Sequence, residues 1–455
     1  MLQRLFHLQE RGTDVRTEVA GGLTTFLTMA YIVFVNPQVL SFFGDPALVA
    51  KGLPVAATAS ATALTAGLLC IAMGLFANVP VAMAAGMGLN AFVSYQLVAS
   101  EGLPMSSAMG IVVLEGFVIL LLVVSGLREA VMNAIPMELK KGIAAGIGLF
   151  IAFIGLQEAG FVKASPATMV TLGNLTTWPV LVASIGFLLT IVLLERRAPG
   201  ALLWAILGTT AVAVAVNYGT GGTAFPPGVA RLPESPVRLP DFSTLGKFDF
   251  GAFAQVGVLK TALLAFALML SDFFDTMGSV IAVGTKAGLV DERGRMANLK
   301  RVLLVDSAGA ILGGASSSAS ATCYIESVSG VAQGARTGLM TVVVGFGFLA
   351  SLFLGPVIGM VPKEATAPVL VVVGFLMMST LEGVDFNRFD TAFPAFLTLI
   401  GIPLTFSISS GIGLGFLAYA LVRLLTGRAR EVHPLLYAVS VAFLVEFLLP
   451  LFERL

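Results

Sequence analysis

Three carboxylates and one amide stand where the chain is otherwise oily. Asp272 and Asp275 lie in LMLSDFFDTMGSVIAVG, Glu326 in CYIESVSG and Asn90 in GMGLNAFVSY. An unpaired polar or charged group at membrane depth costs several kcal/mol, so intramembrane acids are rare and mark function by default. Asp272 and Asp275 are spaced i and i+3, which puts them on one helix face. Asn offers both a donor and an acceptor, and a carboxylate accepts from a ring N–H. Such a set can read a neutral planar heterocycle with an N–H/C=O edge. A carboxylate removed from water favours its protonated form. It can therefore exchange a proton near neutral pH and hold its substrate best in one protonation state, the physical minimum for proton symport. The candidate substrate contacts are Asn90, Asp272 and Glu326, with Phe273 and Tyr324 as stacking partners. The candidate coupling acids are Asp272, Asp275 and Glu326. The structural alternative is an Asp275 that bonds backbone near a helix break. Phe274 and Tyr95 also adjoin these positions, but among 33 Phe plain packing is the stronger reading for any one ring.

Other chemistries find little support. Glu115 and Asp306 sit singly in apolar stretches and read as helix-to-helix hydrogen-bonding groups. Cys70 and Cys323 lie inside apolar segments as small core residues, and His7 and His433 lie near the chain ends, so neither a disulfide nor a metal framework is expected. No cofactor is called for. GxxxxGK[ST] is absent, which excludes intrinsic ATP-driven pumping. An intramembrane aspartyl protease would place its aspartates on facing helices, whereas Asp272 and Asp275 share one, and no GxGD occurs. An anion carrier would want a positive site, and this one holds carboxylates without Lys or Arg.

Positioning these groups falls to membrane helices. The 455 residues are 57% hydrophobic and 11% charged, less than half the charge of an ordinary soluble domain. Lys+Arg and Asp+Glu are both 26, so no net charge points to nucleic acid. A helix needs about 20 apolar residues to cross a bilayer. Such stretches are expected near 19–43, 55–77, 81–98, 105–126, 142–158, 176–195, 199–217, 256–285, 301–314, 321–335, 337–360, 366–382, 391–408 and 409–426. With a cytoplasmic N-terminus and strict alternation, Lys51, Lys163, Arg231, Arg238, Lys247, Lys260 and Lys363 fall outside. Apart from Arg454, every other Lys and Arg falls inside. That is the positive-inside bias, and it supports fourteen crossings. The amphipathic N-terminus lacks a signal-peptide pattern, and 434–452 reads as a cytoplasmic interfacial helix.

The Gly- and Pro-rich loop 218–255 divides the spans into seven and seven, and an odd number inverts the second half. Each half has an odd segment at the same place: VPVAMAAGMGLNAFVSY in span three and GGASSSASATCYIESVSGV in span ten. Both read as an extended stretch followed by a half-helix. Non-helical backbone at this depth needs protein or a water-filled cavity as partner, and a half-helix N-terminus offers donors to a ligand. Together the two segments would frame one site. Small residues that merely allow close helix packing are the plainer alternative.

These residues resemble the nucleobase–cation symporters of the xanthine/uracil permease superfamily, in the azaguanine-sensitive adenine/guanine/hypoxanthine permease branch. The matching stretches are EVAGGLTTFLTMAYIVFVNPQVL, GMGLNAFVSY, SDFFDTMGSVIAVG and YIESVSGVAQGARTGLMTVVVG, spread over both halves. The resemblance implies an all-α polytopic fold of fourteen spans in two inverted seven-span repeats, with short extended stretches in spans three and ten. Its parts would be a cytoplasmic lead-in (1–18), core (19–126 and 256–360), gate (127–217 and 361–430), an external loop (218–255) and a C-terminal interfacial segment (431–455). It implies proton-coupled purine uptake across the inner (cytoplasmic) membrane by an elevator movement of core against gate, in a homodimer joined through the gates. Another nucleobase, uracil or xanthine, or an anion is the alternative cargo. The family's purine-contacting and coupling residues fall on Asn90, Asp272, Asp275 and Glu326. In ASSSASATCYIES, Ala319, Ala321 and Cys323 leave fewer hydroxyls than relatives carry, which bears on which purine is preferred.

Overall fold

The computed structural model describes residues 2–43, 45, 47–127, 134–290, 296 and 298–452. The first long helix breaks in the middle: α1 (Val15–Met29) and α2 (Ile32–Ser41) meet at Tyr31. Then follow α3 (Val55–Ala72), strand β1 (Met83–Ala85) and α4 (Met87–Ala91), which widens and runs on to Ser100. Next come α5 (Met105–Ser125), α6 (Met137–Glu158), an exposed hairpin β2 (Val162–Ser165) and β3 (Met169–Leu172), α7 (Trp178–Glu195) and α8 (Ala201–Gly219). The second half holds α9 (Val258–Lys286), α10 (Leu299–Ser316), β4 (Ala321–Cys323), α11 (Val328–Ala332), α12 (Gly338–Ser351), α13 (Lys363–Met377), α14 (Phe389–Thr405), α15 (Ile408–Leu425) and α16 (Pro434–Phe452). Among the described residues ten helical stretches are long and apolar enough to cross a bilayer, and Phe389–Thr405 and Pro434–Leu449 are shorter apolar helices. This is a mostly helical polytopic membrane fold. The exposed hairpin was not expected from sequence; it lies between two of the spans, where its backbone pairs with itself.

Helices in lipid gain little from the hydrophobic effect, so close packing through small residues holds them together. A Cβ added at Gly345 would stand 2.7 Å from the carbonyl oxygen of Gly67, joining α3 to α12. One added at Gly374 would stand 2.3 Å from that of Gly148, joining α6 to α13. On α5 and α10 the same closeness appears at Gly116, 2.6 Å from the Ile311 nitrogen. Glu18, fully buried, accepts from the backbone N–H groups of Arg336 (2.7 Å), Thr337 (3.2 Å) and Met340 (3.0 Å). It thus satisfies donors that the start of α12 leaves open and sits at the positive end of that helix. The helices fall into two sets by contact: α1–α5 with α9, α10 and α12, and α6–α8 with α13–α15.

The two extended stretches pair with one another. β1 and β4 run antiparallel in the register Met83↔Cys323, Ala84↔Thr322 and Ala85↔Ala321, and Tyr324 N–H extends the ladder to Ala82 O at 2.9 Å. Each thereby supplies the backbone partners that buried non-helical chain requires. Only small side chains let the pair sit this deep: a Cβ at Gly309 would come within 3.0 Å of Ala321 O, and one at Gly313 within 2.0 Å of Ala319 O. The C-terminal helix α16 folds back along α15, with Phe443 against Phe416 (centroids 6.4 Å apart) and Gly413 facing Phe443 and Phe447.

Candidate functional site

Where the strand pair gives way to its two short helices, a cavity of about 360 Å³ opens, at the lower end of the range for small-molecule sites, about 300–1,000 Å³. Its walls are unequal. The polar wall carries Glu326 and Tyr324 beyond β4, Asp275, Ser271 and Ser279 from α9, Met87–Leu89 at the start of α4, and Tyr31 from the break between α1 and α2. The facing wall is mostly apolar: Ala144 and Ile147 of α6, with Val373, Leu376 and Met377 of α13, and the hydroxyl residues Ser379 and Thr380 just beyond it.

Hydrogen bonds hold the two acids of the polar wall. Tyr31, 1% exposed, donates its hydroxyl to Glu326 Oε1 at 2.7 Å. Thr322 of β4 donates to Asp275 Oδ2 at 3.1 Å. Tyr324 donates to the carbonyl of Ala85 at 2.5 Å, so its ring is fixed across the strand pair at the edge of the cavity. Side chains alternate along a strand, which points Ser320 and Thr322 alike toward α9, one to each aspartate. Ser320 donates to Asp272 Oδ2 at 3.2 Å.

The residues expected from sequence divide accordingly. Glu326, Tyr324 and Asp275 line the cavity. Asn90, Asp272 and Phe273 do not. Asn90 is 1% exposed and donates to Asn36 Oδ1 at 2.9 Å; Asn36 in turn donates to Thr62 Oγ1 (2.8 Å) and Ser318 O (3.0 Å). Asp272 and Phe273 are both fully buried. Three residues along a helix turn the side chain by about 60°, and the edge of the cavity falls within that arc, so Asp275 lines the cavity while Asp272 stays buried off it. Phe274, rather than Phe273, reaches the cavity. Tyr95 lies elsewhere and donates to Glu158 Oε1 at 2.9 Å. Tyr31 and the wall of Ala144, Ile147, Val373 and Met377 were not singled out by sequence. Tyr31 was visible only as one of six Tyr in an oily stretch, and aliphatic wall residues carry no signal apart from their neighbours.

A deep cavity between two sets of membrane helices, lined by acids and paired half-helices, defines a membrane permease. The profile of the Permease family matches residues 16–414, and the chain belongs to that family, the nucleobase–cation symporters whose motifs it carries. It is 41% identical to the adenine permease AdeP of Escherichia coli, over 98% of this chain and 96% of that one. It is 38% identical to the guanine/hypoxanthine permease PbuG of Bacillus subtilis, over 98% and 99%. Among solved structures, the transmembrane domain of the cyanobacterial bicarbonate transporter BicA superposes with a TM-score of 0.62 at 17% identity, covering 87% of this chain and 97% of that one. Murine Slc26a9, an anion transporter in the inward-facing state, gives 0.63 at 11% identity, covering 90% and 68%. These last two share the fold.

Proposed function

We propose that this permease takes up purine nucleobases, adenine, guanine or hypoxanthine, with protons and across the cytoplasmic membrane. The observation that carries the reading is the polar wall: two acids, each already oriented by a hydroxyl, facing a cavity of a size for one small planar ligand. Glu326 and Asp275 accept from purine N–H groups, and Tyr324 and Phe274 flank the base. Full-length relatives named for adenine and for guanine and hypoxanthine support the substrate class. An anion reading would follow from the structural neighbours' titles, but among the described residues no Lys or Arg lines this cavity.

The two inverted repeats cross the membrane fourteen times, and the C-terminal helix α16 adds one further crossing outside them. To the ten long spans are added α10, α14 and the two discontinuous segments. A twofold relation in the membrane plane would make α3 on α12 equivalent to α10 on α5, and would pair β1 with β4 and α6 with α13 across the axis. All four contacts occur. The set around β1 and β4 is the core that carries substrate, and the set around α6 and α13 is the gate. The N-terminus is cytoplasmic, and α16 returns across the bilayer beside α15 rather than lying on its surface, bringing Glu446 within charge–charge range of Lys260 and Glu101.

The cavity lies toward the ends of α9 and α13 that the charge bias places inside, so the conformation is inward-facing. Glu158 stands eleven residues beyond Ile147, about 16 Å further along α6. There Tyr95 bonds Glu158, Gln96 Oε1 accepts from the N–H groups of Ile408 (2.7 Å) and Ser409 (3.2 Å), and Tyr95, Phe150 and Phe406 pack edge to face. This seals the outer side, and an elevator movement of core against gate would break it. Dimerisation through the gates fits the exposed apolar side chains of α7 and α14, such as Leu188 and Phe396. Uptake of radiolabelled hypoxanthine into cells lacking their own purine permeases tests the reading. Saturable uptake, competed by unlabelled purines and collapsed by a protonophore, is expected; uptake indifferent to both would refute it.

A further inference from the structure

Off the cavity, α5, α9 and α10 bring three acids together. Glu115, Asp272 and Asp306 are each 0% exposed. The hydroxyl of Thr276 bridges two of them, 2.6 Å from Asp306 Oδ1 and 3.4 Å from Asp272 Oδ1. Cys323 Sγ lies 3.9 Å from Asp306 Oδ1. Glu115 stands apart: neither of its buried carboxylate oxygens accepts a hydrogen bond from a described donor. The groups facing it at hydrogen-bonding range are the carboxylate of Asp272 and the hydroxyl of Ser320, with Asp306 as the other charged neighbour. Ser320 has one proton and gives it to Asp272.

Two carboxylates in contact at low dielectric repel when both are ionised. Among the described residues the charged groups that face Glu115 are Asp272 of α9 and Asp306 of α10, both acids. The contact turns favourable when one partner carries a proton, because it then becomes an O–H···O bond between acid and carboxylate. The donor that Glu115 lacks is supplied by that proton. Sequence reasoning took Glu115 for a helix-to-helix hydrogen-bonding group, and its surroundings offer it an acid instead.

The geometry points to a buried acid pair, Glu115–Asp272, that shares a bound proton and is the site of the transported proton, separate from the purine-facing acids Asp275 and Glu326. This rests on the proton-coupled reading above. Asp272 and Asp275 hang from one turn of α9, and Ser320 and Thr322 hang from one face of one strand segment, so a change of charge at Asp272 is felt at the cavity without a shared ligand.

Two measurements on full-length protein in liposomes decide it. Infrared spectra of the wild type should carry a protonated-carboxyl C=O band that disappears in Glu115→Gln; a band that survives this substitution unchanged overturns the pair. A gradient of one pH unit supports about tenfold hypoxanthine accumulation for one proton per purine. Glu115→Gln should bring that to about onefold while exchange of external labelled for internal unlabelled hypoxanthine keeps its wild-type speed. Full accumulation in Glu115→Gln overturns the proposal. Should exchange be lost as well, Glu115→Asp restores the acid: recovered accumulation supports the pair, and a folded Glu115→Asp without it overturns the assignment. A wild type that never accumulates hypoxanthine against a gradient sinks proton coupling alone, and the infrared band still reports on the pair.

Discussion

Tyr31→Phe removes one oxygen from the molecule and leaves the ring that fills the break between α1 and α2. The lost hydroxyl donates to Glu326 Oε1 at 2.7 Å from a residue 1% exposed, so water is poorly placed to replace it. A hydrogen bond to a charged group contributes about 1.5–3 kcal/mol. In the intact site it holds Oε1 and leaves Oε2 for the purine; without it the carboxylate is under-satisfied and free to turn. If all of that orientation is expressed in binding, hypoxanthine affinity falls roughly 10- to 150-fold. The assay is equilibrium binding of labelled hypoxanthine to purified protein, run as a double-mutant cycle with Glu326→Gln. Because Tyr31 acts through Glu326, the two losses must be strongly sub-additive. Affinity unchanged in Tyr31→Phe, or two penalties that simply add, would refute the argument that this hydroxyl positions the acid.

Four further outcomes follow from the same geometry. Asp275→Asn should abolish purine binding, whereas Asp272→Asn, which lies off the cavity, should keep binding and lose gradient-driven accumulation; equal binding loss in both would contradict the division of labour across the strands. Ala144→Trp builds a large ring into the apolar wall and should block binding in a protein that still elutes as a folded species on size exclusion. Gly374→Leu sets a Cβ 2.3 Å from Gly148 O, and since backbone cannot yield as a side chain can, overpacking of about 1–3 kcal/mol should lower the thermal unfolding midpoint. Tyr95→Phe frees Glu158 at the outer seal, which should raise labelling of a cysteine placed at Ile147 from the outside in right-side-out vesicles; labelling no greater than with Tyr95 intact would argue against a seal there.

Much of this architecture is written in the chain because the bilayer is a harsh solvent. Oily runs of sufficient length, and Lys and Arg gathered on alternate connections, locate helices before any contact is known. The breaks in spans three and ten were legible for a related reason: Gly, Ala and Ser runs leading to Asn90 and to Glu326 make poor lipid-facing helix. That β1 and β4 satisfy each other was not legible, because pairing depends on two segments more than 230 residues apart meeting in register. Asp272 and Asp275 show the limit of periodicity. Spacing i, i+3 puts two residues on one helix face, yet a face is wide enough to be split by the edge of a cavity. Asn90 shows another limit: its amide reads as a substrate contact in the sequence, but it donates to Asn36, 54 residues earlier.

The split between Asp272 and Asp275 also bears on how such a site can work. A single acid that both binds the purine and carries the proton must hold its substrate differently in each protonation state, so every gain in coupling is taken from affinity. Here the strand segment from Ser320 to Thr322 turns a separate hydroxyl to each of the two acids. Asp275 can stay committed to the base while Asp272 and Glu115 trade a proton out of its reach. The wall of α6 and α13 is mostly apolar, with hydroxyls only from Ser379 and Thr380 just beyond α13, so most of the ligand's polar contacts would travel with the core. On this view the carboxylates do not form one site that happens to be large. They form two sites that share a helix turn, one lining the cavity and the other buried off it with its own hydroxyl partner.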